Sequence, residues 1–256
     1  KITPLNLKLI RDIWKIGGQC IAISLVVGCG IGLMIATFGT INTLENSLYA
    51  FYEKTRFSDV FGNVRRAPDS LIEDIQKIPG ISIAETRIHG WSTLDLPDMA
   101  EPVNAQLISL PESGKPLLNG LEITEGTYPN DERFDEVIIS DSFAKSHNLK
   151  PGDIINTVIN GNKKQIVVKG LILSPEFIYA LGPGMMMPDD KRFGVIFMSR
   201  KALASAFDYE GAWNFVSVRI QKGFPEEEVI EKLNIIMKPF GGTGSYKRKF
   251  NVSHFF

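Results

Sequence analysis

The sequence predicts an α+β extracytoplasmic body carried behind a single transmembrane helix. Three observations lead there: one uncharged apolar stretch near the N-terminus, a basic cluster just before it, and after it a mixture of alternating and helical hydrophobic patterns bounded by Pro-Gly and Asn-Gly turns. With 256 residues and 44% hydrophobic content, the chain has enough apolar side chain for a buried core in one or two domains.

The apolar stretch runs from Ile16 to Leu44 without Asp, Glu, Lys or Arg. As a helix it is about 43 Å long, against about 30 Å of hydrocarbon, so it spans with length to spare. Lys1, Lys8, Arg11 and Lys15 against Asp12 put the first fifteen residues at +3 and leave the remainder at −4. Positive charge before the span places the N-terminus in the cytoplasm and the body on the extracytoplasmic side. A mildly acidic body argues against nucleic acid as a partner.

Residues 1–15 read as an interfacial elbow helix, with Thr3 as N-cap, Pro4 at N1, and Leu5, Leu9, Ile13 and Trp14 alternating with Lys8, Arg11 and Lys15. The alternative is that they form the cytoplasmic end of the spanning helix. Beyond the span, Leu48, Phe51, Tyr52 and Thr55 keep the helical period, so residues 45–57 are expected as a stalk.

A cleavable signal peptide is disfavoured because the apolar stretch is twice the usual length. Val26-Val27-Gly28-Cys29 has the form of a lipobox, but apolar residues rather than a polar tether follow the cysteine. Gly28 and Gly32 form a G-x-x-x-G pair, the candidate place for close packing by another helix; glycine is also simply common in such spans. Both cysteines, Cys20 and Cys29, lie in this segment, nine residues apart on opposite sides of the helix, so no disulfide staples the body.

In the body, residues 59–66 read as a strand, Asp69 as the cap of a helix through Leu71, Ile72, Ile75 and Ile78, and Pro79-Gly80 as its stop. Residues 81–96 and 103–110 alternate as strands. A middle section follows, with a strand at 136–140, a short helix at 141–147, and a hairpin of 154–159 and 165–173 turning at Asn160-Gly161. The last third returns to strand and helix: 194–198, 200–207, 214–220 and 225–239. Two β/α halves flanking a β-rich insert suggest one α+β domain carrying a second within it, with a linker at 241–256.

Catalytic patterns are missing. Gly114-Lys115 is followed by Pro116, so there is no phosphate-binding loop, and no ATP is held by that route. His89, His147 and His254 are scattered, and no metal-ligand or nucleophile-elbow spacing occurs, so neither metal nor cofactor nor enzymatic activity is expected. Glu226-Glu227-Glu228 reads as first-turn charge on a helix after Pro225; Asp189-Asp190 is a second carboxylate pair. One loop stands apart: Leu181, Pro183, Met185, Met186 and Met187 lie among glycines and prolines, and flexible thioethers suit an adaptable apolar partner or a lipidic substrate. The same residues also suit packing back onto their own domain.

Several stretches taken together give the chain a family likeness. They are the basic elbow and span, Phe57-Ser-Asp-Val-Phe, Arg65-Arg66-Ala-Pro-Asp-Ser-Leu, Pro175-Glu-Phe-Ile-Tyr-Ala-Leu-Gly-Pro-Gly, Pro188-Asp-Asp-Lys-Arg-Phe-Gly-Val and Val252-Ser-His-Phe-Phe. Through them the chain resembles the N-terminal half of an FtsX-like/MacB-type ABC transporter permease. The resemblance implies a periplasmic core domain with a split porter-like subdomain (58–112 and 193–240) around a β-rich inserted one (113–192), and a separate cytoplasmic ATPase subunit that binds ATP. It also implies a second permease copy or homologous half, and a periplasmic adaptor or lipoprotein as further partner. Such permeases transmit ATP-driven motion to their extracytoplasmic domains, for export or extraction of a lipid-linked or peptide substrate. The family's further spanning helices are not in this sequence, so a portion of a longer permease is the expectation, with a single-span protein as the other reading. A single-span module that recruits a periplasmic partner without transport is the competing function, and an extracytoplasmic hydrolase the third.

Overall fold

Helical hydrogen bonding carries the apolar segment well past its last apolar residue, as a single element α1 (Gly17–Lys54) of 38 residues, about 57 Å long at 1.5 Å per residue. The computed structural model describes residues 15–130 and 132–250, together with Pro4, Lys8, Ile10 and Arg11. Most of the expected elbow helix, including Thr3, Leu5, Leu9, Ile13 and Trp14, and the closing Val252-Ser-His-Phe-Phe lie outside the described residues. The chain divides into two units, Lys1–Phe51 and Tyr52–Phe256.

In the first unit, α1 is the one helix among the described residues long and apolar enough to cross a membrane. Its apolar side chains, such as Ile21, Val26, Leu33, Ile35 and Phe38, are exposed on every side, as in a helix solvated by lipid. Four of its hydroxyls are satisfied within the helix: Thr37, Thr40, Thr43 and Ser47 donate to the carbonyls of Leu33, Ala36, Gly39 and Thr43 at 2.8, 2.9, 2.8 and 2.8 Å. Back-bonding of this kind removes the cost of placing a hydroxyl in hydrocarbon.

The second unit contains, in chain order, β1 (Val60–Pro68), α2 (Leu71–Gln76), β2 (Ile81–Arg87), β3 (His89–Asp95), β4 (Val103–Leu110), β5 (Glu122–Gly126), β6 (Glu136–Ser140) and α3 (Asp141–Ser146). After these come β7 (Ile154–Ile159), β8 (Asn162–Leu173), a 3-10 turn (Pro175–Phe177), β9 (Phe193–Ser199), α4 (Arg200–Phe207), β10 (Ala212–Ile220), α5 (Glu226–Met237) and β11 (Ser245–Lys247). Apolar helix followed by a mixed α/β body is thus the observed class.

One sheet has the order β11-β1-β10-β2, antiparallel throughout. One of its faces buries Val60, Val64, Ala84, Trp213, Val216 and Val218 against Leu71 and Ile75 of α2 and Val229, Leu233 and Met237 of α5. The other sheet has the order β5-β8-β6-β9-β4-β3-β7, and β7 also pairs with the first half of the twelve-residue β8, which closes the sheet on itself. Its β4–β9 and β6–β8 pairs are parallel. Strand β9 is buried at every position because both faces are covered, Ile196 and Met198 inside the closed sheet, Phe193, Val195 and Phe197 beneath Phe177, Ala180 and Met185.

Sheet membership groups residues 60–87 with 212–247, and 89–126 with 136–199. This partition differs from the split subdomain (58–112 and 193–240) and insert (113–192) that the resemblance implies, because β3 and β4 join β7 and β9 in the same sheet as β5, β6 and β8. The alternation read as one strand over 81–96 is two strands in different sheets, broken at Ile88, whose N–H goes to Ser109 Oγ at 2.8 Å. Hydrophobic period alone does not show such a change of sheet. Asp69 is not a helix cap. The N-cap of α2 is Ser70, and the Asp69 carboxylate accepts from Arg200 at 2.6 Å, a better partner than a backbone amide. The segment 241–249, expected as a loose linker, contains β11, paired to β1 at Val60, Phe61 and Gly62.

Candidate functional site

The site that gathers the most chemistry is the joint where α1 ends and the sheets begin. The last turn of α1 closes with Phe57 N–H donating to Tyr52 C=O at 2.9 Å and Arg56 N–H to Glu53 C=O at 3.2 Å. This is a Schellman ending, and the left-handed residue that it requires is Arg56, φ 50°, rather than glycine.

Two carbonyls left over at such an end point away from the helix, and here the body supplies their donors. Gly120 N–H donates to Thr55 C=O at 2.7 Å and Asn119 N–H to Arg56 C=O at 3.2 Å. The approach is close enough that a Cβ on Gly120 would sit 3.3 Å from the Thr55 oxygen.

Asn119, fully buried and itself left-handed at φ 54°, extends the joint through its side chain. Its Oδ1 accepts from Ser58 N–H at 2.7 Å, and its Nδ2 donates to Glu176 Oε1 at 2.7 Å and to Ser217 Oγ at 3.1 Å. Ser217 lies on β10 and Glu176 on the 3-10 turn after β8, so one amide connects the helix end to both sheets.

Behind it sits a buried ion cluster. Arg87, at the end of β2, donates to Glu176 Oε2 at 2.6 Å, to Leu118 C=O at 2.8 Å and, at a longer 3.4 Å, to Glu85 Oε2. Glu85 also accepts from the Leu117 and Leu118 amides at 3.0 and 3.2 Å. Burial opposes the charge on Arg87, yet the Glu176 and Glu85 carboxylates together hold its pKa above the ordinary value. Burial pushes Glu176 up, and Arg87 offsets part of that. His89, next in the chain but one, is held neutral, with its pKa down to about 3, by burial and by the Arg87 charge.

The segment after β11 returns to the place where α1 ends. Arg248, just after β11, donates to Ser58 C=O at 2.9 Å and Phe57 C=O at 2.8 Å, and pairs with Asp59. Its guanidinium lies 5.6 and 5.1 Å from the ring centres of Tyr52 and Phe57, so charge, hydrogen bonds and cation–π contact act on one short segment. Further ion pairs brace the last turn: Glu53 with Arg219 at 2.9 Å and Lys54 with Glu122 at 2.7 Å.

The residues singled out from the sequence lie elsewhere. Met185 is half-buried against the apolar layer over β9, whereas Met186 and Met187 are 96% and 78% exposed, with Pro183 also exposed and Leu181 half-buried. The loop therefore packs on its own domain through Met185 and leaves Met186 and Met187 in the open. Nothing lies within 4 Å of a Cβ built on Gly28 or Gly32. Among the described residues no group of three or more His, Cys, Asp and Glu is placed to hold a metal ion. The joint residues escape sequence reading because they come from separate places along the chain; the faint signals are Asn119-Gly120 outside any turn between paired strands, and an arginine ending the alternating run of β2.

No protein-family model matches the chain, and no curated relative matches it in sequence. Solved structures do resemble it. The periplasmic region of MacB from Actinobacillus actinomycetemcomitans is 11% identical with a TM-score of 0.46, over 75% of this chain and 89% of that one. The extracellular domain of the noncanonic ABC-type transporter YknZ from Gram-positive bacteria is 13% identical, TM-score 0.45, over 74% and 98%. A domain assigned as a permease protein from Porphyromonas gingivalis is 14% identical, TM-score 0.46, over 77% and 91%. Likenesses at this level concern shape and say nothing about activity.

Proposed function

We propose that this chain is a permease subunit of a MacB-type ABC transporter, with its N-terminus in the cytoplasm and its body outside. A separate cytoplasmic ATPase binds and hydrolyses ATP, and this chain passes the resulting motion to the body, for export or extraction of a lipid-linked or peptide substrate. The observation that carries the reading is the joint: the carbonyls at the end of α1 are capped by Asn119 and Gly120, and Arg248 fastens the exit to the same residues. A body that is merely tethered needs only a flexible connection, whereas a helix end built into two sheets delivers displacement to both. The sequence resemblance supplies the partners, and Gly28 and Gly32 offer the face on which a second permease copy or homologous half packs.

A second reading, a recruiting module without transport, is favoured by the exposure of Met186 and Met187, which suits an adaptable apolar contact with an extracytoplasmic protein. Affinity purification of the membrane-embedded chain in mild detergent, with mass spectrometry of stoichiometric partners, separates the two. A co-purifying ATPase supports the permease reading. An extracytoplasmic protein recovered without any ATPase supports recruitment and sinks the permease.

A further inference from the structure

We infer that Met185, Met186 and Met187 together hold a soft cation, copper(I), through their thioether sulfurs. The inference is independent of the permease reading and goes beyond it.

Its starting point is an exposure that packing does not explain. Met186 and Met187, at 96% and 78%, are the most exposed large apolar side chains among the described residues. Leaving apolar surface in water is unfavourable, and a purely apolar contact would be served as well by leucine or phenylalanine. What methionine adds is sulfur. A thioether is a soft donor that favours copper(I), whereas magnesium and calcium ions take oxygen ligands.

The local structure keeps the three sulfurs together. Gly182-Pro183-Gly184-Met185 is a type II turn, closed by Met185 N–H donating to Gly182 C=O at 3.1 Å, with Gly184 at φ 76°. Met185 then packs on the apolar layer over β9, so close to Gly182 that a Cβ there would lie 3.0 Å from its Sδ. Beyond the run, the chain is fastened again. Ser142 and Ser146 of α3 donate to Asp190 Oδ1 at 3.0 Å and Asp190 C=O at 2.7 Å, and Phe193 N–H donates to Asp189 C=O at 3.0 Å. Between these anchors the first and third α-carbons of the run are at most about 7 Å apart. Each side chain turns on three bonds, so the sulfurs can converge on one ion without moving the anchors. The adjacent carboxylates already have partners, Asp189 the Lys191 amide at 3.0 Å and Asp190 the Ser142 hydroxyl, which leaves the thioethers as the donors.

A thioether carries no proton to lose. Its hold on a metal is therefore insensitive to pH, unlike that of imidazole or thiolate, and this separates the site from any histidine or cysteine elsewhere in the chain.

The test is anaerobic competition for copper(I) between the full chain in detergent and a chromogenic copper(I) chelator. Cys20→Ser/Cys29→Ser is the background throughout, because thiolates also bind this ion. One ion per chain is expected, with affinities at pH 7 and pH 5 that agree within about twofold. Met186→Leu/Met187→Leu keeps apolar side chains at exposed positions and so retains the fold. It is expected to weaken binding by at least about tenfold, since loss even of groups that only support metal ligands costs that much. Met237→Leu, a volume-conserving change at a buried position, leaves the affinity unchanged. Absence of binding, equal affinity in the double leucine variant, or loss of binding in Met237→Leu overturns the inference. A fall in affinity between pH 7 and pH 5 assigns the ion to histidine and overturns it too. Failure to recover an ATPase, by contrast, would remove the permease reading and leave this result as it stands.

Discussion

Replacing Arg87 by Met removes the cation from a site in which two carboxylates are buried with it. Arg87 is 1% exposed, Glu176 4% and Glu85 7%, so solvent does not rescue the anions left behind. The substitution removes the short charge-assisted bond to Glu176 and the bond to Leu118 C=O; the Glu85 contact, at 3.4 Å, is weaker. One bond between charged partners and one to a carbonyl, with an anion stranded, puts the cost at about 3–5 kcal/mol. Glu176 is already raised by burial, so it takes up a proton and limits the loss. The double variant Arg87→Met/Glu176→Gln removes the stranded charge while leaving Asn119 an acceptor, so the two effects couple, by about 2 kcal/mol in favour of the double variant. Equilibrium urea unfolding of the full chain in detergent, followed through fully buried Trp213, reads all four corners of the cycle. A cost below about 1 kcal/mol for Arg87→Met, or strict additivity, would refute the description of this cluster as a desolvated, mutually dependent unit.

Other consequences follow from the same physics. His89 is neutral in the fold down to about pH 3 but ionises near 6.5 when unfolded, so stability is complete above pH 6.5 and falls as pH drops towards 3. His89→Phe, measured by the same unfolding assay at pH 7 and pH 4.5, should flatten that dependence. Tyr246, with its pKa pushed up to about 12 by burial, keeps its proton beyond the usual tyrosine range. Its contribution is present below about pH 10 and lost as pH rises through 12, which ultraviolet difference titration of Tyr246→Phe against the natural chain would detect. Arg56→Gly places glycine at the left-handed end of α1 and should stabilise by up to about 1 kcal/mol; a loss of stability would mean that the Arg56 side chain has a role beyond its backbone. Dilute hydrogen peroxide should oxidise Met186 and Met187 well before buried Met198 and Met237, as peptide mass spectrometry would show.

Elements with a local cause were legible in the sequence. The uncharged length of 16–44 announces a long apolar helix, Asn160-Gly161 the β7–β8 turn, with both residues at positive φ, and the run from Arg200 to Phe207 a helix of those same bounds. Elements whose cause is tertiary were not. Strand β5 carries Glu122, Thr124 and Glu125, no apolar alternation, and exists because β8 offers it an edge. Strand β11 is three residues long and exists because Val60–Gly62 needs a partner. The same division explains the site. Methionines cluster in one stretch and so caught the eye, whereas the joint unites Phe57–Asp59, Arg87, Asn119, Glu176, Ser217 and Arg248, whose association only the folded chain makes evident.

The central proposal, that motion arriving along α1 is delivered to the body through this joint, is tested most directly in the natural protein together with an ATPase that co-purifies with it. Hydrogen exchange of the Thr55–Asp59 and Leu117–Gly120 amides would be compared without nucleotide and with the ATPase trapped by vanadate. The account predicts a change of about fivefold or more in both segments, together with a change in β8. Unaltered exchange in both segments, in a complex that still hydrolyses ATP, would contradict it.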